Sequence, residues 1–258
     1  MPHLELNTVA QSFPAAGQVL GPVNLSVETG ERISVVGPSG CGKSTLLRII
    51  AGLDKAHAGS VRVNDPAEPH RQVKGGIGFV FQDAALLPWA SVFDNVWLPL
   101  RLRGASRIQA QESVHQALAS VSLQDWADAR PDQLSGGMRM RVSIARALIE
   151  QPSLLLMDEP FAALDELTRF ELNDMLSDLV SRESMTLVFV THSVIEAAFL
   201  SSRVLILSPR PGRIVDDIAC DFPFPRHPDL RSDAEFLRCC ASISAALRQA
   251  AKAESEPA

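Results

Sequence analysis

No stretch of this chain approaches the ~18 consecutive apolar residues that a membrane-spanning helix needs. The N-terminal MPHLELNTVAQSF lacks the basic-then-apolar order of a secretory leader. A role at a membrane is therefore expected to run through a partner. The net charge of −6 comes without a basic stripe, which argues against a nucleic-acid surface. The four cysteines, Cys41, Cys220, Cys239 and Cys240, lack paired zinc-ligand spacing and read as free thiols, which fits cytosolic residence. Tyrosine is absent and aromatics make up only 5% of the chain, so any stacking platform has to be Phe or Trp. Internal repeats are missing, as is low complexity apart from an alanine-rich polar tail. What remains is globular: 258 residues, 46% hydrophobic and 21% charged, enough for one large domain or two small ones.

The strongest local signal is GPSGCGKST, Gly37 to Thr45. It follows the apolar run Ile33 to Val36 and leads into the helix-forming Leu46-Leu47-Arg48-Ile49-Ile50. The spacing is that of a phosphate-binding P-loop, in which glycines let backbone N–H groups point at phosphate oxygens and the following helix adds its positive end. Nucleotide binding is thus expected at Gly37, Pro38, Ser39, Gly40, Cys41, Gly42, Lys43, Ser44 and Thr45. Lys43 is expected to reach the β- and γ-phosphates and Ser44 to place its hydroxyl on Mg2+. Alkylation of Cys41, inside this loop, is expected to block nucleotide. The loop alone does not separate a kinase from a motor ATPase.

Before the loop, Leu4 to Leu6 and Val23 to Val27 look like an antiparallel β lead-in. Phe13, between them, is open to two readings, a core ring or a platform for a base. Beyond the loop helix, Gly59 to Val63 reads as a strand, 65–76 as a surface loop, and Ile77 to Phe81 as a strand delivering Gln82-Asp83. Helical patterns then replace strands over Ser91 to Arg103, Ser106 to Val121 and Gly136 to Ile149, an inserted helical subdomain at about 88–150. Leu86-Leu87-Pro88, Trp89 and Trp97 make its entry unusually apolar, either to dock a partner or to seal the subdomain. Ser135, Gly136 and Gly137 open its last helix with another anion-ready N-terminus. The strand Ser153 to Met157 ends in Asp158-Glu159, two carboxylates costly to explain by packing alone. After a helix over Asp165 to Ser181, the strand Met185 to Val190 delivers Thr191-His192. Next come a helix over Val194 to Leu200, strands over Arg203 to Leu207 and Arg213 to Ile218, and a last helix at about Leu230 to Ala251.

In this order the pieces resemble the ATP-binding subunit of an ABC transporter, from about Leu4 to Ile218. GPSGCGKST is similar to Walker A, Phe81-Gln82-Asp83 to the Q-loop and LSGGM, Leu134 to Met138, to the signature. Leu154 to Glu159 is similar to Walker B, Ala163-Leu164-Asp165 to the D-loop, and Thr191-His192 to the switch histidine. The resemblance implies an α/β fold, a P-loop NTPase of ABC type, with a mixed central sheet, an N-terminal antiparallel β lead-in and an inserted α-helical subdomain. It implies an ABC ATPase domain over 1–218 and a short helical tail over 219–258. It also implies ATP and Mg2+, with Ser44, Gln82 and Asp158 toward the metal and Glu159, His192, Lys43 and Gln82 acting in hydrolysis. Glu159 would orient or deprotonate the attacking water, and His192 would contact the γ-phosphate. Phe13 would stack on adenine.

Ser135, Gly136 and Gly137 would act on ATP held by a second copy of the chain, implying a head-to-tail dimer. One P-loop and one signature fit such a half-unit. Gln82 to Trp89, Asn95 to Leu100 and Ser208 to Ile214 look like the nitrate/sulfonate/taurine importer branch, implying an integral membrane permease and, indirectly, a solute-binding protein. The implied location is the cytoplasmic face of the inner membrane, peripherally held. Met138, Met140, Ser193 and Ser202 depart from the family pattern at positions that touch neither phosphate nor metal. A soluble scaffold or regulatory ABC protein is the competing reading, disfavoured by the apolar Leu86 to Trp97 entry. A small-molecule kinase leaves LSGGM and His192 unexplained, and a DNA-repair ABC ATPase would need coiled coils or zinc cysteines.

Overall fold

The computed structural model describes residues 3–64 and 76–252, so most of the expected surface loop at 65–76 and the end of the tail lie outside the described residues. Two sheets organise the chain. Strands β1 (Leu4–Phe13), β2 (Gly17–Val27) and β4 (Ala58–Val63) form an antiparallel sheet in the order β2-β1-β4. Strands β3 (Arg32–Val36), β5 (Ile77–Val80), β6 (Leu154–Asp158), β7 (Thr186–Val190), β8 (Arg203–Leu207) and β9 (Ile214–Ala219) form the second, in the order β5-β6-β7-β3-β8-β9. Every pairing from β5 to β8 is parallel, and β9 closes the edge antiparallel to β8.

The central strands are continuous apolar runs because both of their faces are buried. Leu154 and Leu156 point into a cluster shared with Leu4, Leu20, Val23 and Val27 of the antiparallel sheet, and with helix α1 (Lys43–Ile50). Leu155 and Met157, one residue out of phase, enter the opposite cluster with helices α4 (Gly136–Leu148), α5 (Glu166–Arg182) and α7 (Ala234–Lys252). This period of two is the pleat of a strand covered on both sides.

Between β5 and β6 the chain runs through α2 (Val92–Leu102), α3 (Arg107–Ser120) and α4. Each start is set by a serine whose hydroxyl accepts a backbone N–H: Ser91 from Asp94, Ser106 from Gln109 and Ser135 from Met138. Met140 is buried in the core, which explains an apolar side chain there. The last helical region differs from the single helix read from sequence. A 3-10 turn over Pro228–Ser232 comes first, and α7 begins only after Asp233, whose carboxylate accepts the N–H groups of Glu235 and Phe236.

Candidate active site

The C-terminal ends of β3, β6 and β7 open side by side onto one cleft of about 200 Å3. After β3 the phosphate loop turns through Gly40 (φ +77°) and Gly42 (φ +106°), both in the left-handed region that favours glycine. A Cβ at Gly42 would also stand 2.6 Å from Leu20 Cδ2, so β2 presses directly on the loop. Gly42 caps α1 without any side-chain hydrogen bond, leaving the first N–H groups of the helix open toward the cleft.

Lys43 is buried, and its ammonium donates to the Gly37 and Pro38 carbonyl oxygens at 3.0 and 3.1 Å. It stands 3.9 Å from Glu159 Oε1. From β6, Asp158 accepts a hydrogen bond from the Ser44 hydroxyl at 2.9 Å. Burial pushes the Asp158 carboxyl above its ordinary value, the Ser44 hydrogen bond pulls it down, and the neighbouring Glu159 charge pushes it up again. Glu159 adopts φ +48°, a strained backbone for a non-glycine residue, fixed by its N–H donating to Val190 O at 2.9 Å. The same side chain meets His192 Nε2 at 2.7 Å. Larger grooves exist, such as one of about 650 Å3 lined by Glu5, Glu28, Glu31, Asp217 and Arg203, but Arg203 is taken up by Glu31 and Asp217 and the remaining rim is acidic. The glycine loop at a helix start and Lys43, more than volume, single out the smaller cleft.

The cleft is lined by Ser39, Gly40, Gly42, Lys43, Ser44 and Thr45, with Glu159 and His192 facing them. Val19 lines it too; sequence reasoning passed it over because nothing in β2 marks the residue that crosses the loop. Phe13 lies outside the cleft, partly exposed where β1 turns into β2. Gln82 is exposed and also outside it. It follows β5, three strands from β3 and so about 14 Å away at ordinary strand spacing. Ser135, Gly136 and Gly137 also lie outside the cleft, and Cβ atoms added at the two glycines would lie 3.2 Å from Leu164 and 2.5 Å from Thr168. The Cys41 side chain, expected from its place in the loop to be a point where alkylation blocks nucleotide, is 1% exposed, and burial pushes the thiol upward. It packs into the core beneath the loop, so alkylation has no open route to it.

A hydroxyl and a carboxylate in contact, Ser44 and Asp158, form a hard-oxygen pair of the kind Mg2+ accepts when phosphate oxygens and water complete its shell. Among the described residues no cluster of three or more His, Cys, Asp or Glu is placed to hold a metal ion.

Residues 20–162 match the ABC transporter family. The chain is 46% identical to the aliphatic sulfonates import ATP-binding protein SsuB of Bacillus licheniformis, covering 81% of this chain and 80% of that protein. It is 42% identical to the aliphatic sulfonates import ATP-binding protein SsuB 2 of Pseudomonas syringae pv. tomato, covering 92% and 94%. Among solved structures it superposes with a TM-score of 0.72 on the dimeric ATP-binding cassette MJ0796, bound to ADP and Pi after hydrolysis, at 33% identity over 85% of this chain and 100% of that one. The chain belongs to the ABC transporter family, as one of its ATP-hydrolysing members.

Proposed function

We propose that this chain is the ATP-hydrolysing subunit of an importer for a small anionic solute, aliphatic sulfonates first, with taurine and nitrate as the neighbouring chemistries. It works at the cytoplasmic face of the membrane as a head-to-tail pair, docked on a separate permease that is served by a solute-binding protein. The phosphate loop holds the nucleotide, Lys43 neutralises the β- and γ-phosphates, and Ser44 with Asp158 holds Mg2+, which supplies charge neutralisation on the phosphates. Glu159 orients the attacking water and takes its proton, and His192 contacts the γ-phosphate. Gln82, exposed and outside the cleft, would sense metal and water while relaying to the permease. Ser135, Gly136 and Gly137 complete the site of the second copy, and Phe13 stacks on adenine at the open side. The dimeric relative bound to ADP and Pi supports the pairing, and the sulfonate import subunits support the solute class.

The observation that carries transport is a rigidly presented apolar loop between β5 and α2. Trp89 is 72% exposed. The backbone around it is tied down from behind: buried Asn95 accepts from Leu87 N and donates to Leu87, Ala90 and Ser91 carbonyls, and Arg146 donates to Ala84 and Ala85. Trp97, by contrast, is half-buried and donates to Ala105 O, sealing the α2–α3 corner. A loop this well held offers a preorganised surface, which lowers the cost of docking. No helix among the described residues is long and apolar enough to cross a membrane, and in this reading the permease supplies the passage.

The test is to purify the tagged chain from gently solubilised native membranes and identify stoichiometric integral partners by mass spectrometry, with Trp89→Ala beside it. A multi-span permease that leaves with the Trp89 variant, and whose binding protein takes up sulfonates, is the expected result. A chain that stays soluble and hydrolyses ATP without a membrane partner supports the scaffold reading and ends the transport one.

A further inference from the structure

Behind the cleft, a buried carboxylate and a half-buried guanidinium lie where the mechanism uses neither. Glu196 is 3% exposed on the first turn of α6 (Val194–Leu200). Arg169 sits on the first turn of α5 and faces it, Nε to Oε1 at 3.4 Å, an ion pair without an aligned hydrogen bond. The second Glu196 oxygen accepts a short hydrogen bond from the Thr191 hydroxyl. That hydroxyl in turn accepts the Ser193 N–H at 3.0 Å, so the peptide is held on both sides of His192. On the other flank, Arg169 Nη2 donates to Leu164 O at 3.0 Å. Leu164 ends the segment that starts at Glu159, a tight run in which Ala162 N donates to Glu159 O and Leu164 N to Phe161 O.

These contacts close a ring. It runs from Glu159 along the chain to Leu164, across Arg169 and Glu196 to Thr191, on to His192, and back to Glu159 through the 2.7 Å contact. We propose that Arg169 and Glu196 are positioning residues for ATP hydrolysis, a brace that holds the His192 turn in register with the Glu159 segment. The inference rests on the reading above that Glu159 and His192 face the γ-phosphate.

An ion pair with one partner buried is a poor device for stability, since desolvating the carboxylate offsets much of the attraction, and it recommends itself where geometry has to be held. His192 is 45% exposed and can be steadied only from behind. Burial pushes the Glu196 carboxyl upward while Thr191 and then Arg169 pull it back, so its charge depends on the two groups it joins. From sequence alone neither residue stands out: one Arg and one Glu near the starts of separate helices meet only because β6 and β7 are adjacent.

The experiment is a set of double-mutant cycles on the full chain, reading kcat, KM for ATP, binding of a fluorescent ATP analogue, and thermal melting. Glu196→Ala and Arg169→Ala are each expected to lower kcat roughly 10- to 100-fold with KM changed less than about 3-fold, a loss confined to the reacting geometry. On a His192→Ala background, Glu196→Ala should cost no more than about 2-fold further, because both act through one group. Glu196→Gln keeps an acceptor for Thr191 and should recover most of the turnover. An equal loss from Glu196→Ala with and without His192 overturns the brace and leaves a structural pair. Unchanged turnover in His192→Ala itself overturns instead the site reading beneath it. If the alanine variants fail to fold, Glu196→Met and Arg169→Met, apolar and of similar length, remove the same contacts and carry the cycle.

Discussion

His192 Nε2 meets Glu159 Oε1 at 2.7 Å, so the two groups proposed for the γ-phosphate side of the reaction are in direct contact with each other. Glu159 is only slightly exposed and shares this oxygen with the more distant Lys43 ammonium. Replacing Glu159 by Gln keeps the shape and an acceptor for His192 but removes the base. We expect kcat to fall roughly 10^2- to 10^4-fold, with ATP affinity nearly unchanged. Gel filtration with Mg-ATP should then show a trapped, ATP-bound dimer. Wild-type turnover in this variant removes Glu159 from the role.

Asp158 gives a prediction in which stability and function move in opposite directions. Its carboxyl titrates above the ordinary value in the fold, first because it is buried. The folded state therefore keeps this proton to higher pH than the unfolded state, and stability falls as pH rises from the unfolded value to the folded one. Above that window the loss is complete and constant. Asp158→Asn should accordingly raise the melting temperature of the nucleotide-free protein at pH 7, by roughly 2 °C for a chain of this size, with the gain vanishing in acid. The same variant should lose Mg-dependent ATP binding. A lower melting temperature at pH 7 would mean that the Ser44 hydrogen bond outweighs the desolvation it opposes.

Cys41 is named by the sequence as a nucleotide-site thiol and by the structure as a core residue. Its thiol is pushed up by burial, and only the thiolate alkylates. Iodoacetamide on the native chain should modify half-buried Cys239 first and Cys41 at least roughly 10-fold more slowly, with ATP binding intact. Peptide mapping across a time course reads this directly. Early modification of Cys41, with nucleotide binding lost in step, would restore the expectation drawn from its position in the loop.

How far the sequence is legible follows from the range of the forces at each place. Helix starts at Ser91, Ser106 and Asp165 are local events, a side chain accepting a nearby N–H, and the sequence marks them within a residue. The buried strands β6 and β7 announce themselves by unbroken apolar runs ending in polar residues. The first two strands are harder. Polar Asn7, Thr8, Gln11 and Ser12 interrupt the alternation, Thr8 takes φ +49°, and the pairing shifts register three times, so two strands of 10 and 11 residues read as short fragments. Val19, Arg169 and Glu196 are illegible for a different reason: each gains its meaning from a segment distant along the chain. The phosphate loop and the carboxylate pair are patterns of one segment, and a single sequence suffices for them.

Gly212 belongs to that second group and lies in no motif of the active site. Its N–H donates to Val19 O at 2.9 Å, and its carbonyl accepts Gly21 N–H at 2.9 Å, which pins the turn to β2 from both sides. A Cβ built there would lie 2.0 Å from the backbone oxygen of Cys41, inside the phosphate loop, and 3.1 Å from Leu207 Cδ2. Pinned to β2, the turn has little room to retreat, so the strain falls on the loop that cradles phosphate. Gly212→Ala should cost about 1–3 kcal/mol as overpacking against a well-filled site. It should also weaken binding of a fluorescent ATP analogue roughly 10-fold, since a shift of a few tenths of an ångström misaligns the N–H groups that face the phosphates. Melting and nucleotide titration of the same preparation separate the two effects. If melting drops while affinity holds, the turn has moved and the phosphate loop has not, and the coupling between them is weaker than the contact implies.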